Sequence, residues 1–559
     1  MNEANRGYFI TGDCVGCTLC AKVCPANAIT GALKTRHVID ENRCIRCGAC
    51  GRVCAKDAIL DEKRRKTGRV GKKDQLHPAV NVAMCVGCSV CIENCPKGCL
   101  KLTEPAYHGD IHTVAALVKP EACIGCGLCA DHCPIRVIKM VKPGEPDSFA
   151  EYKGGKKMGL YQAYCRVYQA VFKVGNYFLG YRTPETIDGA GSVKRMPELL
   201  RAAKSTHTLI VTDPNILKLN LMAGMLEALD AAKLPYTVFS DIGPNPTSDM
   251  VEAGLKVYHD NGCDAIVAFG GGSPMDCAKA IGARVARPKK SVVRLQGVLT
   301  VLKRIPPFFA VPTTAGTGSE TTLAAVITDA KTHHKAAIMD PNLIPKQVIL
   351  DPEVTIGLPP FVTATTGMDA LSHAVEAYTN HTYNTPLENT YAKEAVKLIF
   401  DNLYTAYSDG KNIEARQNMQ IAAFKAGRAF TRGCVGYVHA VGHTVSGLHN
   451  IPHGLAMSVI LPHVMRQFGE AAHKRLAELA DVCGIEGANA AEKANKFIDR
   501  IDALNRSMNI PANLDMIEDR DVEQMVKWAM QEGNPLYPVP AIWGEDEFKT
   551  LIHTIRTAK

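Results

Sequence analysis

The chain has 559 residues, 46% hydrophobic and 21% charged, with a formal net charge of +8; at roughly 100–200 residues per domain that allows three or four domains with sizeable cores. So much apolar sequence excludes a mostly disordered chain. The longest apolar stretch, about Leu160 to Tyr181, is broken by Arg166 and Lys173 and has helical rather than uniform apolarity, so no membrane span is expected. No secretory leader pattern opens the sequence, and the expected compartment is the cytoplasm.

The first quarter is set by cysteine. Of 22 cysteines, 17 precede residue 134, and 16 of those form four groups. Cys14, Cys17, Cys20 and Cys24 precede Pro25; Cys44, Cys47, Cys50 and Cys54 precede Ala55; Cys85, Cys88, Cys91 and Cys95 precede Pro96; Cys123, Cys126, Cys129 and Cys133 precede Pro134. In such spacing three thiolates converge on one iron–sulfur cube while the fourth reaches the other cluster of a pair. Gly16, Gly48, Gly87 and Gly125 suit backbone wrapped closely around sulfur. Structural zinc pairs two short knuckles across a longer loop, which four contiguous quartets do not match. Cys99, just outside the third quartet, reads as a buried free thiol.

This stretch, residues 8 to about 142, resembles the bacterial two-cluster ferredoxins, twice in tandem. The resemblance implies four 4Fe-4S clusters, held by Cys14, Cys17, Cys20 and Cys54; by Cys44, Cys47, Cys50 and Cys24; by Cys85, Cys88, Cys91 and Cys133; and by Cys123, Cys126, Cys129 and Cys95. Ala55 departs from the pattern but removes no ligand. Through residue 150 there are 21 Lys and Arg against 15 Asp and Glu. Four oxidised clusters add about −8, leaving the assembled protein near neutral, so charge gives a nucleic-acid partner no support. Between the two ferredoxin-like units runs Lys63-Arg64-Arg65-Lys66, then Arg69, Lys72 and Lys73; this reads as a solvated connecting loop, with docking of an acidic electron-transfer partner as the sharper alternative.

Residues 143–157, with Pro143, Gly144, Pro146, Gly154 and Gly155, read as a linker. A helix follows, with Tyr161, Tyr164, Tyr168 and Val171 at helical spacing, expected to pack. From about residue 180 short apolar strands alternate with amphipathic helices, as in a parallel α/β sheet. Strands are expected at Thr208–Thr212, Tyr236–Ser240, Ala265–Phe269 and Phe308–Val311. The third runs into Gly270-Gly271-Gly272-Ser273-Pro274-Met275-Asp276, where glycines let amides approach a phosphate at a helix start. The fourth runs into Pro312-Thr313-Thr314-Ala315-Gly316-Thr317-Gly318-Ser319-Glu320, suited to ribose and nicotinamide. From about Val362 the pattern turns helical. Asp369 and His373 share a helix face, and His439, His443, His449 and His453 follow among glycine turns, a candidate site for a divalent transition ion.

The strings GGGSPMD, PTTAGTGSE, GMDALSHAVEAY and VHAVGH followed by NIPHG resemble, in order, those of the iron-dependent, group III alcohol dehydrogenases. The resemblance covers about residue 180 to the end. It implies a Rossmann-like α/β nucleotide-binding domain and an all-α metal-binding domain in the dehydroquinate synthase-like arrangement, behind the α+β ferredoxin-like tandem. Expected boundaries are 1–75, 76–142, 143–180 (linker and helix), 181–361 and 362–559. The implied metal ligands are Asp369, His373, His439 and His453, for Fe(II), with Zn(II) able to take the same donors. His443 matches a non-ligand histidine near the reaction centre. Asp213 matches an acidic residue that meets the adenosine ribose and favours NAD over NADP; Gly271, Gly272, Ser273, Asp276, Thr313, Thr314 and Lys335 match further dinucleotide contacts. His449, His463 and Cys434 are expected to be structural.

The expected activity is NAD-dependent interconversion of an aldehyde and a primary alcohol. A one-electron wire beside a hydride enzyme, with no flavin site, points to a separate redox partner, such as an aldehyde oxidoreductase or another ferredoxin-linked enzyme. The resemblance also implies a homo-oligomer, and clusters of this kind point to an anaerobe. Two alternatives stay open: a ferredoxin:NAD oxidoreductase subunit, and a non-catalytic scaffold of a larger redox complex.

Overall fold

The computed structural model describes residues 7–71, 74–80, 85, 89–103, 114–133, 137–142, 159–177, 179–331, 335–380 and 382–556. The chain divides into two compact units at 157/158. The expected linker, Gly87, Lys72, Lys73 and the cluster candidate Cys88 lie outside the described residues.

The first unit holds two lobes of one plan. In the first, strand Phe9–Ile10 pairs antiparallel with Ile59–Leu60, and Ile29–Thr30 with Val38–Ile39. In the second, His77–Val80 pairs with Ile138–Val141, and Leu100–Leu102 with Ala115–Leu117. Short helices Leu19–Val23, Ala49–Val53, Val90–Glu93 and Leu128–Asp131 each begin at a residue with left-handed backbone, namely Thr18, Gly48, Ser89 and Gly127. In the first lobe that turn lets the cysteines on either side of it line one cavity, Cys17 and Cys20 around Thr18 and Cys47 and Cys50 around Gly48. Strands this short bury little. The cores are a few aliphatics among thiols: Ile10, Ile29, Ile39 and Ile59 in the first lobe, Leu100, Val137 and Ile138 in the second. Lobes of this size call for a metal staple. The basic run is solvated over Lys63–Lys66, where Arg65 meets Asp61 at 2.8 Å and Arg64 lies over the Phe9 ring.

The second unit opens with helix Leu160–Tyr177. Its Tyr161–Val171 stripe does not pack: Tyr164 and Val171 are 56% and 69% exposed, and the buried side carries Cys165, Gln169 and Asn176. The reason is what lies beneath. The irregular segment 535–542 presents backbone carbonyls that need donors. Gln169 donates to Pro535 O (3.0 Å) and Tyr537 O (2.8 Å), Arg166 to Pro540 O (2.8 Å) and Gln162 to Ile542 O (3.3 Å).

A six-stranded, all-parallel sheet follows, in the order Tyr236–Phe239, Thr208–Val211, Ala265–Gly270, Phe308–Pro312, Gln347–Leu350, Glu185–Asp188. Ile210, Val267 and their neighbours are fully buried, as the continuous apolar runs of a sheet covered on both faces require. A second sheet contains Gly297–Val298, Lys335–Met339 and Ala324–Thr328. From helix Pro360–Thr379 to helix Glu545–Ile555 the described residues form helices around one apolar core that includes Tyr378, Leu403, Phe497 and Phe548.

Candidate functional site

The strand order reverses beside Thr208–Val211: the chain goes next to Tyr236–Phe239 on one side and then to Ala265–Gly270 on the other. Ligands of open α/β sheets bind outside the carboxyl ends of strands at such a switch point. Asp213, the 271–276 turn and Thr313–Thr314 follow three adjacent strands there. Gly270 has φ +154, and a Cβ on it would lie 2.6 Å from Pro274 Cγ, so the sharp entry into helix Gly272–Ala286 requires glycine. No side chain caps that helix start, which leaves its dipole and amides to an anion.

Asp213 Oδ1 accepts from Asn215 N (2.9 Å) and Ile216 N (3.2 Å), capping helix Pro214–Lys218. Asp276 is turned inward: Oδ1 accepts from Ser319 Oγ (2.8 Å) and Oδ2 from Val326 N (3.1 Å). Both its oxygens thus brace the 319–326 loop. Lys335 starts strand Lys335–Met339. Fully buried Lys279, missed in the sequence, ties the same loop: its ammonium donates to Ser319 O (2.6 Å), Thr322 O (2.9 Å), Thr322 Oγ1 (2.8 Å) and Ala324 O (2.9 Å). Burial lowers its pKa to about 8, opposed by Asp276 and Glu320. The loop then meets the helical domain. A Cβ on Gly316 would lie 2.7 Å from Thr366 Cβ, so glycine lets it close on helix Pro360–Thr379 one turn before Asp369.

That helix sets the candidate metal group. Asp369 and His373 sit one turn apart, helix Tyr437–His449 supplies His439, and His453 opens helix His453–Phe468. Donor atoms of Asp369, His439 and His453 lie within 4.8 Å of one another, with Asp369 Oδ1 at 3.3 Å from His453 Nε2 and 3.7 Å from His439 Nε2. His373 falls outside that trio; its ring stacks between Phe430 and His439, with centroids 4.2 and 4.5 Å away. Asp369 Oδ1, His439 Nε2 and His373 Nδ1 are buried and make no hydrogen bond. Orphaned donors of this chemistry fit a divalent cation with an open position. Burial would raise the Asp369 carboxyl, but His373 and His453 hold it well below its usual range. Burial, opposed by Asp369 and reinforced by His439, His453 and His443, pushes His373 down to about 3, keeping it neutral as a ligand must be. For His439 burial is outweighed by Glu376 and Asp369, which raise it to about 9.

Glu376 was also missed, though it lies seven residues after Asp369 on the same helix face. Its Oε2 accepts from His439 Nδ1 at 2.5 Å and its Oε1 from Val438 N at 2.7 Å. With Nδ1–H so held, Nε2 is the nitrogen that faces Asp369, and a cation bound there would take the place of its proton.

His443 is exposed at the rim, its ring stacked 5.2 Å from His453. Its Nδ1–H donates to Glu532 Oε1 (2.7 Å), which also accepts from Tyr537 Oη (2.9 Å). Burial would raise Glu532, but His443 keeps it below its usual range. Tyr537 in turn is pinned through its carbonyl by Gln169. His449 turns to Asp521 (3.3 Å) and His463 to Ala512 O (3.3 Å), away from the group.

Among the described residues of the first unit, cysteines wall one cavity with Cys14, Cys17, Cys20 and Cys54, another with Cys24, Cys44, Cys47 and Cys50, and another with Cys95, Cys123, Cys126 and Cys129 together with Cys99. Cys85, Cys91 and Cys133 share the second lobe's core. Each fourth cysteine accepts an amide from four residues on, at 3.3–3.4 Å: Ala28 to Cys24, Ala58 to Cys54, Cys99 to Cys95 and Val137 to Cys133. Cys99 thus fills a buried slot held elsewhere by alanine or valine. Burial first, then charge on neighbouring cysteines, pushes Cys20 to about 11 and Cys50 and Cys129 to about 12. Such thiols ionise readily only around a cationic core, which fits clusters.

Residues 183–352 match the family description "Iron-containing alcohol dehydrogenase", 363–555 "Fe-containing alcohol dehydrogenase family, C-terminal", and both 13–59 and 84–137 "4Fe-4S dicluster domain". The NAD-dependent methanol dehydrogenase of Bacillus methanolicus is 37% identical over 361 residues, 64% of this chain and 93% of that protein. A crystal structure of 1,3-propanediol oxidoreductase is similar with TM-score 0.65 and 34% identity, covering 67% of this chain and 99% of that one. The sulfoacetaldehyde reductase of Bifidobacterium kashiwanohense, solved with NAD+, has TM-score 0.61 and 29% identity, covering 68% and 100%. Switch-point sheet, helical domain and relatives together make this protein an oxidoreductase, and the chain belongs to the iron-containing alcohol dehydrogenase family, preceded here by two 4Fe-4S dicluster domains.

Proposed function

We propose that the second unit interconverts a small aldehyde and its primary alcohol, using NAD and a divalent ion, Fe(II) or Zn(II), held by Asp369, His373, His439 and His453. Four 4Fe-4S clusters on the first unit pass single electrons to or from a separate redox protein. An aldehyde oxidoreductase fits, since it handles the same aldehyde and exchanges single electrons. When bound, the ion supplies Lewis acidity toward the substrate oxygen and the nicotinamide carries the hydride.

The chain's own residues do the rest. Asp213, Gly271, Gly272, Ser273, Thr313 and Thr314 line the switch point for the dinucleotide, while Asp276 and Lys279 brace its loop. Glu376 fixes the tautomer of His439. Glu532 and Tyr537 fix His443, whose Nε2 is left to exchange a proton between substrate and solvent. The observation that carries this reading is the buried carboxylate with imidazoles whose donor atoms lack partners, one turn beyond the point where the loop of the α/β domain closes on Thr366.

The test is to strip the anaerobically purified protein with a chelator and reload it with Fe(II) or Zn(II), then supply NADH and an aldehyde panel. Aldehyde-dependent NADH loss that returns only on reloading is the expected result. NADH loss without aldehyde, or none with any aldehyde after reloading, would refute it.

A further inference from the structure

The two lobes of the first unit meet at particular cysteine sites. Arg52, on helix Ala49–Val53, donates from one Nη2 to Cys47 O (2.8 Å) in its own lobe and to Gly125 O (2.7 Å) in the other. Lys97 Nζ donates to Lys22 O at 3.1 Å, and Gln75, on the connecting segment, donates to Cys123 O at 2.6 Å. These contacts land on or within two residues of Cys24, Cys47, Cys95, Cys123 or Cys126, all walls of the cavities at the second and fourth cluster sites.

Resting on the reading of this unit as a four-cluster wire, we propose that electrons cross between the lobes from the second site to the fourth, with Arg52 as the bridging group. The order along the wire is then first, second, fourth, third, and the first and third sites are the outer ends. Each hop moves one electron: the donor cluster is oxidised by one, its neighbour reduced by one, and no bond or proton changes. Reducing both inner clusters gathers negative charge on each side of one guanidinium, which offsets their repulsion and favours reduction of both. Arg52 is a positioning residue, acting through the backbone carbonyls of Cys47 and Gly125.

The test uses the full-length protein, cluster-loaded without oxygen, with redox titration by electron paramagnetic resonance on wild type, Arg52→Met and Arg52→Lys. In Arg52→Met two of the four potentials move negative together and two stay, with iron and sulfide unchanged; Arg52→Lys recovers part of the shift. A Cys20→Ala/Cys91→Ala variant, lacking the outer sites, keeps a spin-coupled pair, and Arg52→Met weakens that coupling. The proposal is overturned if Arg52→Met moves no potential or all four, or if the two inner clusters are uncoupled in the double variant. A wild-type iron content below four clusters would instead overturn the wire itself, and this order with it.

Discussion

Glu376→Gln removes a carboxylate while keeping its shape, and the geometry fixes the consequence. Glu376 accepts two hydrogen bonds, from His439 Nδ1 and Val438 N, and is 1% exposed. The amide has one oxygen, so whichever donor it serves, its NH₂ faces the other. If it serves Val438, His439 loses the partner that sets its tautomer and basicity; outer-shell partners of this kind are worth about 10–100-fold in metal affinity, roughly 1.4–2.7 kcal/mol. If it serves His439, a buried backbone N–H is left unpaired at about 1–3 kcal/mol of stability. Chelator-competition titration of Fe(II) or Zn(II), with urea unfolding of the metal-free protein, separates the two. A variant with metal affinity within twofold of wild type and unchanged unfolding would refute the role given to Glu376.

His443→Ala is expected to lower kcat by about 10²-fold with metal content unchanged, and Glu532→Gln to lower it less, with an altered pH profile; loss of metal in either variant would place His443 among the ligands instead. Lys279→Met takes its donor from buried Thr322 O and one of the donors from Ser319 O and Ala324 O, so denaturant unfolding should show a loss of about 1–3 kcal/mol, and an unchanged midpoint would contradict the bracing role. Asp264 accepts from Ser205 Oγ (2.6 Å), Thr206 N (2.8 Å) and Thr206 Oγ1 (2.7 Å), and although burial opposes them these donors hold its pKa below the ordinary 3.8. Its stabilisation is therefore complete above that value and lost as pH falls through the depressed one. The stability difference between wild type and Asp264→Asn should shrink from pH 5 to pH 3, and a difference that grows would show the sign to be wrong.

What was legible in the sequence was local. The quartets declare themselves because the three inner ligands of each cluster lie within seven residues, and the strands ending at Asp213, Gly271 and Thr313 because a buried parallel strand is a continuous apolar run. Glu376 had a signal, a carboxylate two turns after Asp369. Glu532 had none, since it reaches His443 from 89 residues away. The inward turn of Asp276 depends on Ser319 and Val326 arriving from another element. The Tyr161–Val171 stripe misled because apolar spacing normally marks the buried face; here the covered surface is a run of carbonyls, and Gln162, Arg166 and Gln169 match it better.

The central claim is that hydride chemistry and the one-electron wire serve different partners. It is tested by recording cluster absorbance and NADH absorbance together in the anaerobic protein, first with NADH alone and then with an aldehyde panel, in wild type and Asp369→Asn. NADH should be consumed only once aldehyde is present, not at all in Asp369→Asn, and with the clusters unbleached throughout. Bleaching of the clusters by NADH alone would contradict the account and make the chain a ferredoxin:NAD oxidoreductase.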